Sequence, residues 1–480
     1  MAARPARGRG AGLVSGQGRG PRRSQPRDTH VQPSREVAFE VIRATTADDA
    51  YANLLLPAEI ERAGLNAADA ALATELTYGT LRRRGAYEQI VRLASGRELD
   101  EIDQGVLDAL CMGAHQLLST RVAAHAAVNE SVELARRESG RGAAGFANAV
   151  LRRISRDGLA TWEDRISESA RSADEALGFR TSHPVWILRA FRRALAATGS
   201  ADELEDLLEA DNASPSVTMI ALPGLAETQG KATKYSPVGF RAPQGDPEQT
   251  VRDSGGARRV QDEGSQLVAL ALSRLTPVTA GERWLDLCAG PGGKTALLAA
   301  EALAGGAVLE ANEVVPARAG LVRRALEAVP TEVEVHERDG RELAKERAAE
   351  FDRILVDAPC TGLGALRRRP EARWRKQPGD VAELVSIQSE LLDAALDAAR
   401  PGGVVAYVTC SPHLAETSGV VRDALERRSD VELLDAPAAI RAVSRGPIEI
   451  AEREDGLPVA QLWPHRHGTD AMFLALFRRA

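Results

Sequence analysis

Five times between residues 281 and 412 a short apolar run ends in polar residues and a loop: RWLDLCAG, AVLEANE, EVEVHERDG, DRILVDAPC and GVVAYVTCSP. Segments of helical period, GGKTALLAAEAL and PARAGLVRRALEA among them, separate these runs. Strands that alternate with helices pair through crossovers, which predicts a parallel, doubly wound sheet. The helix before the fifth strand is the most clearly marked. Asp380 and Glu383 form a capping box, Leu384, Ile387, Leu391 and Ala395 share an apolar face, and Pro401–Gly402–Gly403 stop it. Ligands of such sheets bind beyond the carboxyl ends of the strands, so the chemistry belongs in the loops after Leu287, Ala311, Glu337, Val356 and Val408.

The preceding residues differ in kind. From 34 to 158 the apolar period is helical throughout, and Cys111 lies on the stripe Leu107–Leu110–Cys111–His115–Leu118 as a buried structural thiol. Residues 159–275 open with helices, become extended at SVTMIALPG and lose periodicity over 225–250, a small α+β connector. The chain therefore divides into a basic tail (1–33), an all-helical domain (34–158), the connector (159–275) and an α/β Rossmann-like domain (276–480).

A length of 480 residues excludes a single small module, and 44% hydrophobic with 27% charged residues excludes wholesale disorder. Residues 1–30 carry a net charge of +6 against −7 for the whole chain, so a basic tail able to hold phosphates nonspecifically precedes an acidic body. No apolar run approaches the roughly 18 residues of a membrane span, and no signal-peptide core is visible, so a cytoplasmic chain is expected. The four cysteines form no CxxC pair, and His465 and His467 lack a third ligand, so no metal is expected. Both histidines read as leading into a final core strand.

The first loop, Cys288–Ala289–Gly290–Pro291–Gly292–Gly293–Lys294, fails as a Walker A loop because position 288 is Cys, and as GxGxxG because position 295 is Thr. An S-adenosylmethionine loop needs only a glycine turn after an acidic strand end, which Asp286 supplies. Glu313, about 20 residues on, can take both ribose hydroxyls, and Asp339, ending the third strand, can accept from the adenine amino group. Cys360 and Cys410 end the next two strands. Two thiols beside a methyl-donor pocket suit a pyrimidine, whose C5 takes a methyl only after a thiolate adds at C6. Lys294 and the Arg367–Arg368–Arg369 run are cations that can favour that thiolate. Asp357 can hydrogen-bond the cytosine N3 and amino edge.

DLCAGPGGKT, DAPCTGLGALRRRPEARWR, IQSELLDAA and YVTCSP resemble the motifs of the bacterial ribosomal RNA cytosine-5 methyltransferases of the Sun/Fmu family. HAAVNESVELAR and FANAVLRRI resemble the NusB-like RNA-binding domain of the branch that modifies 16S ribosomal RNA. The resemblance implies Cys410 as nucleophile, Cys360 as the group assisting release, and Asp357 at the target base. It places S-adenosylmethionine against Cys288, Ala289, Gly290, Pro291, Gly292, Gly293, Lys294, Glu313, Asp339 and Asp357, with Glu313 standing where the family usually has Asp. The implied partner is 16S ribosomal RNA or the assembling small subunit, and a monomer is expected. Arg367–Arg369, Arg373, Trp374 and Arg375 are expected to grip RNA phosphates or stack on a base. Two other readings remain: a DNA cytosine-5 methyltransferase with Cys360 as nucleophile, and an RNA-binding assembly or antitermination factor with a degenerate methyltransferase fold.

Overall fold

The computed structural model describes residues 31–480 apart from 49 and 244, so the tail up to residue 30 lies outside the described residues. The first helix, Pro33–Ala47, begins just before the expected domain start, and Val31 is already buried in the helical core. Five more helices follow: Ala52–Arg62, Ala67–Arg82, Arg84–Ser95, Gln104–Ser119 and Ala124–Ile154. Asn66 and Asp103 cap two of them with side-chain oxygens. The last bends at Ser139–Gly140, where Gly140 takes φ 79°. Ile42, Leu76, Ile90, Leu110, Cys111 and Leu151 fill the core between them.

The connector is divided between its neighbours. Helices Leu159–Ser169 and Ala173–Thr181 continue the helical domain, which buries Trp162 and Ile166. Helices Val185–Ala196 and Leu204–Asn212 instead pack Ile187, Phe191 and Leu208 against Leu363, Leu366 and Trp463 of the α/β domain. A three-stranded antiparallel sheet follows, β1 (Thr218–Ala221), β2 (Gly239–Arg241) and β3 (Arg258–Val260), in the order β2-β1-β3. The unpatterned stretch 225–250 contributes β2 and the start of helix Pro247–Asp253.

The main sheet has five parallel strands, β4 (Arg283–Asp286), β5 (Val308–Asn312), β6 (Glu334–His336), β7 (Phe351–Asp357) and β8 (Ala399–Thr409). β11 (Phe473–Arg479) lies antiparallel beside β8, and β9 (Val431–Leu434) and β10 (Ala460–Gln461) pair antiparallel with β11, giving the order β10-β11-β8-β7-β4-β5-β6 with β9 beside β11. Helices Glu263–Ser273, Gly293–Gly305, Pro316–Leu326 and Ala436–Val443 bury one face. Helices Gly340–Glu346, Pro378–Ala398 and Ser418–Arg427 bury the other. Strand order reverses at β4, between β5 and β7, so the crevice opens where β4 and β7 end.

One detail corrects the expectation for the long helix. It starts at Pro378 with a capping box of Gln377 and Asp380, and it ends at Ala398, so that 401–403 lie within β8. Ile387 is 38% exposed while Gln388 is fully buried. No helix among the described residues is long and apolar enough to cross a membrane.

Candidate active site

Three loops meet at the crevice. The first leaves β4 through Asp286, whose Oδ2 accepts from the Thr295 hydroxyl at 2.8 Å while Oδ1 is buried without a hydrogen-bond partner. Burial pushes this carboxyl up to about 7, an effect the Thr295 bond offsets only in part. The glycines of the turn answer to protein packing. A Cβ on Gly290 would overlap the Glu313 carboxylate, and one on Gly292, at φ 103°, would lie 2.6 Å from the Ala325 Cβ. Glu313, 3% exposed, follows β5. Its Oε2 accepts from Gly290 N–H at 3.1 Å and its Oε1 from Val315 N–H at 3.0 Å. Each oxygen keeps a second lone pair, with the Arg318 guanidinium in an ion pair to Oε2 at 3.4 Å. Asp339 caps helix Gly340–Glu346, and its carboxylate is shared with the Arg341 guanidinium.

Lys294 and Asp357 join the first loop to the end of β7 with an Nζ–Oδ2 distance of 2.8 Å. Burial disfavours the ammonium, but the Asp357 carboxylate outweighs it and holds Lys294 above its ordinary value. Beyond Asp357, the Sγ of Cys360 lies 3.4 Å from the Sγ of Cys410, which follows β8. The thiol of Cys360, as donor to Cys410, is held well above the usual thiol range, with burial adding to the effect. Cys410 is lowered, chiefly by that hydrogen bond, with Lys294 and Arg369 assisting against burial and Asp357. The pair is thus polarised, with Cys410 the more acidic thiol and Cys360 the less acidic one. Cys288, in the neighbouring loop, is pushed well above its usual value by burial.

Glu416 is the residue that sequence reasoning missed. Fully buried, it accepts from Thr361 N–H (2.7 Å), the Thr361 hydroxyl (2.5 Å), the Ser411 hydroxyl (2.6 Å) and the Gln388 amide (3.2 Å). Gln388 also donates to the Pro359 carbonyl at 2.8 Å. The only sequence signal was that a hydroxyl residue follows each cysteine, Thr361 and Ser411.

Most of the arginines expected to grip RNA are committed elsewhere. Arg367 and Arg368 share the buried carboxylates of Asp262 and Asp470. Fully buried Arg373 donates to the carbonyls of Arg82 and Ser182 and to Asn212 Oδ1 at 2.9–3.0 Å. Trp374 packs against Gly85, and Arg375 donates to the carbonyls of Thr45 and Ala50. This segment therefore docks the α/β domain on the helical one. His465 binds Glu203 at 2.9 Å, and His467 binds the Glu449 carbonyl and Trp463 N–H, just before β11.

S-adenosylmethionine carries an ammonium, a sulfonium and a ribose diol, but no phosphate. The donor set fits it: an unpartnered buried carboxylate oxygen on Asp286, open acceptor positions on Glu313, and acids at successive strand ends. The sheet, its switch-point crevice and these groups define an S-adenosylmethionine-dependent methyltransferase. Residues 273–478 match the family described as 16S rRNA methyltransferase RsmB/F, and residues 32–156 match the NusB family. The chain is 49% identical over 470 residues to the Mycobacterium tuberculosis protein MT1451, which bears a provisional methyltransferase name, covering 96% of this chain and 99% of that one. It is 32% identical to the ribosomal RNA small subunit methyltransferase B of Pseudomonas syringae pv. tomato, covering 84% and 88%. The crystal structure of PH0851 has the same fold, with a TM-score of 0.75 at 21% identity over 94% of this chain and 99% of that one. The chain belongs to the RsmB/F family of methyltransferases, with a NusB-family domain at its N-terminal side.

Proposed function

We propose that this chain methylates C5 of a cytosine in 16S ribosomal RNA through a covalent bond between Cys410 Sγ and C6 of the base. The observation that carries the reading is the close pair of thiols, with Sγ atoms 3.4 Å apart, in which Cys410 is lowered and Cys360 raised. The relatives named for the small-subunit ribosomal RNA support the substrate class.

Cys288 to Lys294, Glu313, Asp339 and Asp357 form the cofactor site. Glu313 takes the ribose hydroxyls on its open lone pairs, and Asp339 offers adenine what Arg341 leaves. Bound there, S-adenosylmethionine supplies an electrophilic methyl group. The Cys410 thiolate adds to C6 with its own electron pair, and the C5=C6 π pair is displaced toward C5 and N3, making C5 nucleophilic. Asp357 is assigned to the N3 and amino edge, and the Lys294 ammonium it holds at 2.8 Å supplies positive charge where negative charge develops on the ring. Once Cys410 is bonded to carbon it is no longer an anionic acceptor for the Cys360 thiol, so the leading cause that raised Cys360 is gone. Cys360 can then ionise and accept the C5 proton, and Cys410 leaves with the electrons of the C–S bond.

Alanine at each cysteine tests this. Cys410→Ala abolishes methyl transfer and adduct formation, whereas Cys360→Ala accumulates an RNA–protein adduct at Cys410. Loss of adduct in Cys360→Ala with retention in Cys410→Ala would reverse the roles and overturn the proposal. Mapping 5-methylcytosine in 16S RNA from cells with and without the protein tests the substrate.

A further inference from the structure

The segment after Cys360 carries five guanidinium groups in nine residues, at 367, 368, 369, 373 and 375. Four are committed to buried carboxylates or to main-chain and amide oxygens, as described above. Arg369 is different. It is exposed, and no carboxylate among the described residues lies within ion-pair distance of it. Its guanidinium carbon lies 5.8 Å from the centroid of the Tyr51 ring, a ring that also carries Arg375 at 5.1 Å. Tyr51 belongs to the helical domain and is 46% exposed.

The segment that carries Arg369 is tied to the loop of Cys410. Gly364 N–H binds the Cys410 carbonyl at 2.8 Å, and one turn later Arg369 N–H binds the Ala365 carbonyl at 3.0 Å. The positive charge of Arg369 reaches Cys410 from there. A guanidinium stacked on an aromatic ring keeps its N–H edge free and loses little freedom when it meets an anion. A base that reaches half-buried thiols must leave its stack, so its flanking phosphates and neighbouring bases stay at the mouth, where they need partners.

We propose that Arg369 and Tyr51 form a clamp, built from both domains, for single-stranded RNA flanking the target nucleotide: Arg369 pairs with a backbone phosphate and the exposed part of the Tyr51 ring meets an adjacent base. The proposal rests on the RNA reading above. It assigns the helical domain a direct contact at the catalytic mouth.

The test uses the full chain, without cofactor, and a fluorescent single-stranded RNA oligonucleotide titrated across a range of KCl concentrations. Arg369→Gln weakens binding about tenfold and reduces the slope of log K against log salt by about 0.7, the share of one phosphate contact on a single strand. Tyr51→Ala weakens binding about fivefold, the low end for loss of one stacked base, and leaves the slope unchanged. In turnover with a 16S transcript, both losses fall mainly on KM. Unchanged affinity and slope in Arg369→Gln, with only a shifted pH profile for Cys410 alkylation, would overturn the clamp and leave Arg369 a thiol-tuning charge. Thermal unfolding of each variant separates a folding defect from lost binding. Methyl incorporation by the unmodified chain separates the proposals: transfer to RNA cytosine C5 with an unaltered Arg369→Gln slope sinks the clamp alone, and no transfer sinks the RNA reading itself.

Discussion

Glu416 accepts the Thr361 N–H at 2.7 Å, so the residue after Cys360 is fixed by a carboxylate that belongs to the loop after Cys410. The same carboxylate accepts from the Ser411 hydroxyl at 2.6 Å, directly after the second thiol. One buried side chain thus sets the spacing of two loops that meet only in the folded protein. Glu416 touches neither sulfur in this network, so its role is to position them.

Two substitutions at Glu416 separate its shape from its acceptor capacity. Glu416→Gln keeps the volume and one carbonyl acceptor, and the hydroxyls of Thr361 and Ser411 can rotate toward the new amide. It loses about 1–2 kcal/mol of stability. Glu416→Ala leaves several buried donors unpaired and loses about 3–5 kcal/mol. Both raise the apparent pKa for alkylation of Cys410, because the Cys360 hydrogen bond that lowers it loosens. A merely structural glutamate would change the melting temperature and leave that pH profile in place.

The thiols themselves give a second prediction. With Cys360 as donor, Cys410 is the more ionised of the pair, whereas Cys288 and Cys111 are held well up by burial. Iodoacetamide near neutral pH therefore labels Cys410 first, as peptide mapping will show. Cys360→Ala removes the leading cause of the lowered value, so the midpoint of the rate profile moves to higher pH. The rate below the midpoint falls with the thiolate fraction, since the thiolate is the reactive form.

Much of this architecture was legible in the residue pattern. Strand ends at Asp286, Asp357 and Thr409 fall where alternating runs met polar residues, because parallel central strands are apolar along their whole length and stop where the loop begins. Long-range polar pairing was not legible. Ile387 fits an apolar stripe, yet Gln388 is the buried residue, since its amide reaches the Pro359 carbonyl and Glu416. Arg367, Arg368 and Arg373 read as groups that grip RNA, but their partners Asp262, Asp470 and Asn212, far away in the chain, already hold them. The glycines of the first loop read as space for a ligand, whereas Gly290 and Gly292 make room for Glu313 and helix Pro316–Leu326.

Those two glycines separate binding from folding. A Cβ at 290 meets the end of the flexible Glu313 side chain, which can swing aside. Gly290→Ala therefore weakens S-adenosylmethionine about tenfold in calorimetry, equivalent to about 1.4 kcal/mol, with little change in melting temperature. A Cβ at 292 meets the Val322 Cα at 2.9 Å on backbone already in the left-handed region. Gly292→Ala lowers stability by about 3 kcal/mol, visible in thermal unfolding without any ligand.

The interface between the domains carries a pH signature. Asp211 is fully buried near Arg373 with neither carboxyl oxygen hydrogen-bonded, and burial pushes it up to about 7, with the guanidinium compensating only in part. His183, 3.8 Å from it, is pushed well down by burial and stays neutral. A carboxyl raised above its unfolded value of about 3.9 stabilises the fold fully below that value and loses the contribution as pH climbs through about 7. Asp211→Asn removes the titration, so the variant gains on the parent by about 2 kcal/mol between roughly pH 5.5 and pH 8. Urea unfolding at the two pH values measures the difference, and equal gaps would mean Asp211 is ionised throughout. Arg373→Met, by contrast, strands the carbonyls of Arg82 and Ser182 and the Asn212 oxygen. It loses about 3–5 kcal/mol and frees the segment after Cys360 from the helical domain, so methyl transfer falls even where the chain remains folded.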